Sequence, residues 1–367
     1  MPEPTALPND ASLKVYAATD PERLYVLATE PARTARSLYV PEVLKLVELL
    51  TGQRSQAATD CAVRLGEHAA RLVPAPGAAK LMDHVVRELG RRSTPVHLRP
   101  HFEQAPASED PVTEFRARLL HELALGGRGL LDEPYTTYQE GLRKLGHPLS
   151  WLPLTSFHFE HTVRERAWSP GDMLGSMSPE ELYARYPATA PTATGAGAGR
   201  AALHTPDDRR TEVAVDPFAE LGRSAAEFFT LPEPLDPADF NSALLTALGA
   251  TSLAGLTAET LAAAHTTADD VIGDLYVAAA SGGVWGDSRP GAYCRLSTWR
   301  ALYALMGLDL SVPHGHAVRA AADHRWLRLA PARRTGDFFF GDLSDTAFAV
   351  LDPTRTRVAV IAATDTD

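Results

Sequence analysis

The densest set of chemically capable side chains lies between residues 285 and 300, where Trp285, Asp287, Ser288, Arg289, Tyr293, Arg295 and Arg300 crowd a glycine-rich stretch. Gly282, Gly283, Gly286 and Gly291 let the backbone turn tightly or approach a ligand closely. A helix is predicted to follow, and the N–H groups of its first turn, lacking intrahelical partners, favour an anion. Arg289 and Arg295 would clamp a carboxylate or phosphate through paired guanidinium donors. The plainer reading is that Asp287 pairs with Arg289 in a structural loop and the helix is capped locally. The stretch is not a P-loop, because no Gly-Lys-Ser/Thr follows, and it is not GxGxxG.

The ending Ala363-Thr364-Asp365-Thr366-Asp367 follows the last predicted strand directly, so Asp365 and Asp367 form a local acidic patch unless arginines meet it. The ligand-binding set is therefore Trp285, Asp287, Ser288, Arg289, Arg295, Asp365 and Asp367. A deep pocket joining these groups would make the chain an anion binder or an enzyme, whereas mutually satisfied salt bridges would make them structural.

Other constellations are weaker. Cys294 falls early in the predicted helix, where the dipole would lower its pKa, but its neighbours Tyr293 and Leu296 favour a buried, inert thiol. His158 and His161 lie three apart, and His314 and His316 would project together from a strand, yet neither group has the ligand count zinc needs. His121-Glu122 opens an HExxH-like run that fails at Leu125. Asp337, Asp342, Asp345 and Asp352 would suit Mg²⁺ or acid/base work, but the intervening glycines also fit plain turns. No catalytic set and no metal site is assigned, and the cofactor is left open.

Amphipathic helices are predicted at Pro41–Leu50, 56–73, 78–91 and 111–125, the second on Ala62, Leu65, Ala69 and Leu72 and the fourth on Phe115, Leu119, Leu120 and Leu123. A short helix is expected at Pro134–Lys144. Leu24–Leu27 reads as a strand or a helix turn. Residues 187–212 are rich in small residues and read as a linker or surface loop. Helices are expected near 217–229, 237–249, 257–264, 268–281 and 293–306, the last stopped by Gly307. Strands are expected at Trp326–Leu329, Phe338–Phe340, Ala347–Leu351 and Val358–Ala362, with the last two closing an antiparallel hairpin across Asp352–Thr356.

The expected fold is thus mostly α with a C-terminal α+β module: a helical N-terminal region and a small antiparallel sheet near the C-terminus. The expected organisation is a mainly helical region at 13–186, a linker or surface loop at 187–212 and an α+β domain at 213–367.

Composition narrows the function classes. Among 367 residues, 45% are hydrophobic and 22% charged, which is ordinary for a globular protein. A formal charge of -11 repels nucleic-acid backbone, and no long Lys/Arg run offsets it. Two distant cysteines, Cys61 and Cys294, fit a reducing compartment rather than a disulfide scaffold. Met1-Pro2-Glu3-Pro4 opens no signal peptide, and no run of eighteen apolar residues spans a bilayer. A cytoplasmic location follows as an expectation.

The stretch DSRPGAYCRLSTWRALYALMG at 287–307 and the ending VAVIAATDTD at 358–367 resemble an uncharacterised family of actinobacterial proteins of unknown function, mainly over the C-terminal hundred residues. The abundance of Ala, Arg and Pro suits a high-GC bacterium. The resemblance implies that Asp287, Ser288, Arg289, Gly291, Arg295, Trp299, Asp365 and Asp367 are signature positions, and it brings no activity, cofactor or partner. Two function classes are carried forward: an interaction or structural protein with a protein partner, and an enzyme or small-anion binder using the 285–300 loop. The sequence sets no oligomeric state.

Overall fold

The computed structural model describes residues 6–34, 37–160, 176–189, 203–204, 207–281, 291–332, 337–339 and 344–365. The chain divides into two compact units, one of residues 1–161 with 290–293, the other of 162–289 with 294–367.

The described part of the first unit is helical. Its longer helices are α1 (Asp10–Thr19), α2 (Pro21–Ala28), α4 (Pro41–Thr51), α5 (Gln56–Arg71), α6 (Ala78–Arg92), α8 (Pro111–Leu125) and α9 (Tyr135–Lys144), with single turns α3 (Pro31–Thr34) and α7 (Pro95–Leu98) between them. The starts follow local chemistry. Ser55 caps α5 by accepting from the Ala58 N–H at 3.3 Å, and Asp110 caps α8 through the Val112 N–H at 3.0 Å. Prolines 41 and 111 occupy first-turn positions where their missing N–H costs nothing. Leu24–Leu27 belongs to a helix, α2.

Helices α5, α6 and α8 bury their apolar stripes against one another, with Leu65, Leu81, Val85, Leu89, Phe115 and Leu119 fully enclosed. Two glycines let them approach closely. A Cβ on Gly66 would lie 2.2 Å from the Phe115 ring, and one on Gly90 would lie 2.8 Å from Cβ of Glu122.

The second unit is built on a six-stranded antiparallel sheet in the order β1-β2-β6-β5-β4-β3: β1 (Leu203–His204), β2 (Arg223–Thr230), β3 (Leu261–Thr266), β4 (Arg325–Pro331), β5 (Thr346–Leu351) and β6 (Arg357–Thr364). Helices α10 (Pro179–Arg185), α11 (Asp208–Val215), α12 (Ser242–Ala247), α13 (Ala268–Ser281) and α15 (His314–Asp323) belong to it, as does most of α14 (Gly291–Met306). One sheet face carries Phe229, Val360, Ala349 and Leu327 and is covered by Leu231, Phe240, Leu245, Leu253 and the pair Phe338–Phe339. On the other face α10 lays Leu182 against Ala262, Ala264 and Ala330. Both faces are covered, and β5 is buried along its whole length.

The mostly helical chain with a C-terminal antiparallel sheet matches the expected fold class, and the terminal hairpin forms as read. Several local readings change. The stretch 217–229 is not a helix: a 3-10 turn, Asp216–Phe218, precedes strand β2. The second half of the 257–264 run, from Leu261 on, is strand β3, paired with β4 along its length. Phe338 and Phe339 form no strand but supply core contacts, and Phe340 lies outside the described residues. His314 and His316 stand on a helix, α15, so strand alternation does not apply to them. Pairing across the sheet supplies β2 and β3 with partners that local propensity cannot register.

Candidate functional site

The floor of the site is one row of side chains on the α10-covered face. Phe228 on β2 is paired with Ala359 on β6, and Ala359 with Val350 on β5. Residues in such register point to the same side of the sheet. Leu305 and Met306, from the last turn of α14, complete an apolar wall, and the space enclosed is a cavity of about 200 Å³.

Charged groups reach the cavity from three elements. Arg210 on α11 lays its guanidinium 3.8 Å from the centroid of the Phe228 ring. Its Nε donates to the Ala304 carbonyl at 2.6 Å, so it also caps the C-terminal end of α14. That end closes with Gly307 at φ 70° and a 2.9 Å bond from Leu308 N–H to the Tyr303 carbonyl. A Cβ on Gly307 would come 3.1 Å from Arg210 Nη2. Burial pushes the Arg210 pKa down; Asp207 opposes this, and the like charge of Arg357 adds to it. Arg357, exposed at the start of β6, is the second cation on the wall. Neither arginine forms an ion pair among the described residues.

His324, just before β4, is buried in the wall. Its Nδ1–H donates to the Ala320 carbonyl at 2.6 Å, which leaves Nε2 as an acceptor in the neutral ring. That atom is buried with no hydrogen-bond partner among the described residues.

The carboxylate at the mouth, Asp352, is already engaged. Its Oδ1 accepts from the N–H groups of Thr356 and Arg357, both at 2.9 Å, and its Oδ2 from Thr354 Oγ1 at 2.5 Å. Burial alone would raise its pKa, but these donors hold it below the usual carboxylate value. Asp352 therefore builds the β5–β6 turn and remains ionised. The cavity as a whole offers an apolar floor, two guanidinium groups and one imidazole acceptor. The two guanidinium groups over the apolar floor suit a small anion with an apolar body, while the imidazole acceptor would be met by a ligand hydrogen-bond donor.

The residues expected to bind a ligand are distributed differently. Trp285, Asp287, Ser288, Arg289 and Asp367 lie outside the described residues. Arg295 is fully buried in the second turn of α14 and is engaged in contacts. Asp365 is buried, and its Oδ1 accepts from the Gly222 N–H at 3.2 Å. Cys294 is a buried thiol that is in no disulfide. Of the acidic set, Asp345 accepts from Thr364 Oγ1 at 2.6 Å. It precedes β5 whereas Asp352 follows it, so a whole strand separates the two. Among the described residues no group of three or more His, Cys, Asp or Glu side chains is placed to hold a metal, and no helix is long and apolar enough to cross a membrane. Sequence reasoning missed Arg210 and Arg357, and reached His324 only as a neighbour of the His314 and His316 pair. The one local signal was Arg357 beside a turn; the cavity itself is made by strand pairing.

A second polar cluster lies in the first unit. Arg118 Nε donates to Glu114 Oε1 at 2.5 Å, and Arg118 Nη1 donates to Asp83. Glu114 Oε2 accepts from His147 Nε2 at 2.9 Å and from the Tyr293 hydroxyl at 3.2 Å. The His147 tautomer is fixed because its Nδ1 accepts from the Leu149 N–H at 3.3 Å. Burial opposes ionisation of Glu114, but the His147 hydrogen bond and the Arg118 charge bring its pKa down to about 2. Burial moves the Asp83 carboxyl the other way, against the pull of Arg118. These groups satisfy one another, so the cluster reads as a structural tether for Tyr293.

The fold and site together define an α+β protein in which an antiparallel sheet and the end of a helix enclose a cation-lined cavity. The chain belongs to the family of unknown function DUF6183, whose model matches residues 13–367. The relationship therefore covers nearly the whole chain rather than mainly its C-terminal hundred residues, and the family's description carries no actinobacterial restriction. No curated protein and no solved structure matches the chain.

Proposed function

We propose that this protein binds a small anion in the cavity floored by Phe228, Ala359 and Val350. The observation that carries the proposal is the convergence of Arg210 and Arg357, neither with an ion pair among the described residues, on one apolar cavity of a chain whose net charge is -11. Cations kept at a concave apolar surface in an acidic protein are favourable when an anion supplies the counter-charge. The two buried thiols, neither of them in a disulfide, support a reducing, cytoplasmic setting.

The interaction-protein reading has less specific support. The most exposed apolar side chains, Val26, Val96 and Leu131, stand on different segments and are of the kind scattered over ordinary surfaces.

The test is a thermal-shift and calorimetric screen of small carboxylates, phosphate and sulfate against the full chain. A ligand that binds only the folded state raises the melting temperature. Arg357→Ala should weaken the hit about ten- to a hundred-fold, the loss expected for a charge-assisted contact. No anion stabilising the wild-type chain would reject the proposal.

A further inference from the structure

The lining also limits which anion the cavity takes, an argument that rests on the anion-binding reading above. The donors are few and are side chains. Arg210 spends Nε on Ala304 and lies flat against Phe228, leaving its terminal nitrogens. Arg357 supplies the other guanidinium, while its backbone N–H and that of Thr356 are taken by Asp352. Among the described residues no glycine-rich turn lines the cavity, so it lacks the cradle of backbone donors by which phosphate is usually held. Asp352 adds a fixed negative charge to the wall and penalises a dianion more than a monoanion. The rest of the lining is mainly apolar, with Phe228, Leu305, Met306, Val350 and Ala359, and Thr230 and His324 are its polar members. At about 200 Å³ the space is somewhat larger than the dry cavity of about 150 Å³ known to accept benzene.

We infer that the ligand is a monocarboxylate with a compact apolar body, an aryl or branched-alkyl acid, its carboxylate between Arg210 and Arg357 and its body over the Phe228–Ala359–Val350 row. A planar carboxylate matches the paired N–H edges of a guanidinium. Seating the apolar body on that row takes apolar surface of both ligand and protein out of water.

The experiment titrates the full chain with phenylacetate, isovalerate, neutral phenylacetamide and inorganic phosphate, using calorimetry and ligand-observed NMR, in wild type, Arg357→Gln and Arg210→Gln. Arg357 is exposed, so its variant folds normally and keeps the test open if the Arg210 variant does not. The expected result is binding of phenylacetate or isovalerate, at least ten-fold weaker in Arg357→Gln, with phenylacetamide at least ten-fold weaker than phenylacetate in wild type and phosphate failing to compete. Phosphate binding more tightly than both acids, and depending on Arg357, would overturn the ligand class while leaving the anion site standing. Phenylacetamide binding as well as phenylacetate would overturn the carboxylate assignment. Binding of no anion, or binding indifferent to both arginines, would overturn the class and the anion-binding reading together.

Discussion

Arg210 lies 3.8 Å over the ring of Phe228 while its Nε holds the Ala304 carbonyl at 2.6 Å. One side chain thus finishes a helix, covers a strand residue and lines a cavity.

Arg210 and Arg357 should therefore separate when mutated. Arg210→Ala removes a helix cap and a cation–π contact and should lower stability by about 1–2 kcal/mol. Arg357→Ala, exposed and without an ion pair among the described residues, should change stability by less than about 0.5 kcal/mol. Urea unfolding of the two variants measures both; equal losses would contradict the assigned roles.

Glycine sites offer a packing test. Gly66→Ala would place a methyl 2.2 Å from the fully buried Phe115 ring, and Gly291→Ala one 2.1 Å from Glu122 Oε1. Each should cost about 1–3 kcal/mol through overpacking. Gly315, in the first turn of α15, is the control, since an added Cβ there would meet nothing within 4 Å. Gly315→Ala should be neutral or stabilising by up to about 1 kcal/mol, because alanine favours the helix. Differential scanning calorimetry ranks the three.

Glu114 sets a pH dependence with a definite sign. Its folded pKa of about 2 lies below the ordinary 4.5. The stability it contributes is fully present above pH 4.5 and is lost as pH falls toward 2. At about 1.4 kcal/mol per pKa unit the upper limit is about 3 kcal/mol, and partial exposure reduces this to about 1–2 kcal/mol. Asp83, shifted upward, contributes with the opposite sign. The gap between wild type and Glu114→Gln in denaturant titrations should be widest near pH 6 and narrow below pH 4.5. A gap that stays constant with pH would remove Glu114 from the linkage.

The thiols should be silent in the native state. Burial, together with the charge of Glu22, pushes Cys61 up to about 11, and Cys294 is fully buried. Thiolate is the reactive form, so iodoacetamide at pH 8 should label neither cysteine until denaturant is added. Mass spectrometry of labelled native protein checks this, and rapid labelling of Cys294 would show an accessible thiol.

What the sequence could determine was whatever is written within a few residues. The stripes of α5, α6 and α8 repeat at helical spacing, and two β-rich runs around Asp352 announce a hairpin. Arg223–Thr230 and Leu261–Thr266 misled because Ala-Ala-Glu and Ala-Ala-Ala favour a helix locally, while pairing with β6 and β4 decides for strand. The cavity was beyond local reading for the same reason. Arg210, Phe228, His324, Val350 and Arg357 come from five separate segments, and only the order β2-β6-β5-β4 with the end of α14 above it brings them to one place. Periodicity is a property of neighbours along the chain; a binding surface is a property of neighbours in space, and strand register is what converts one into the other.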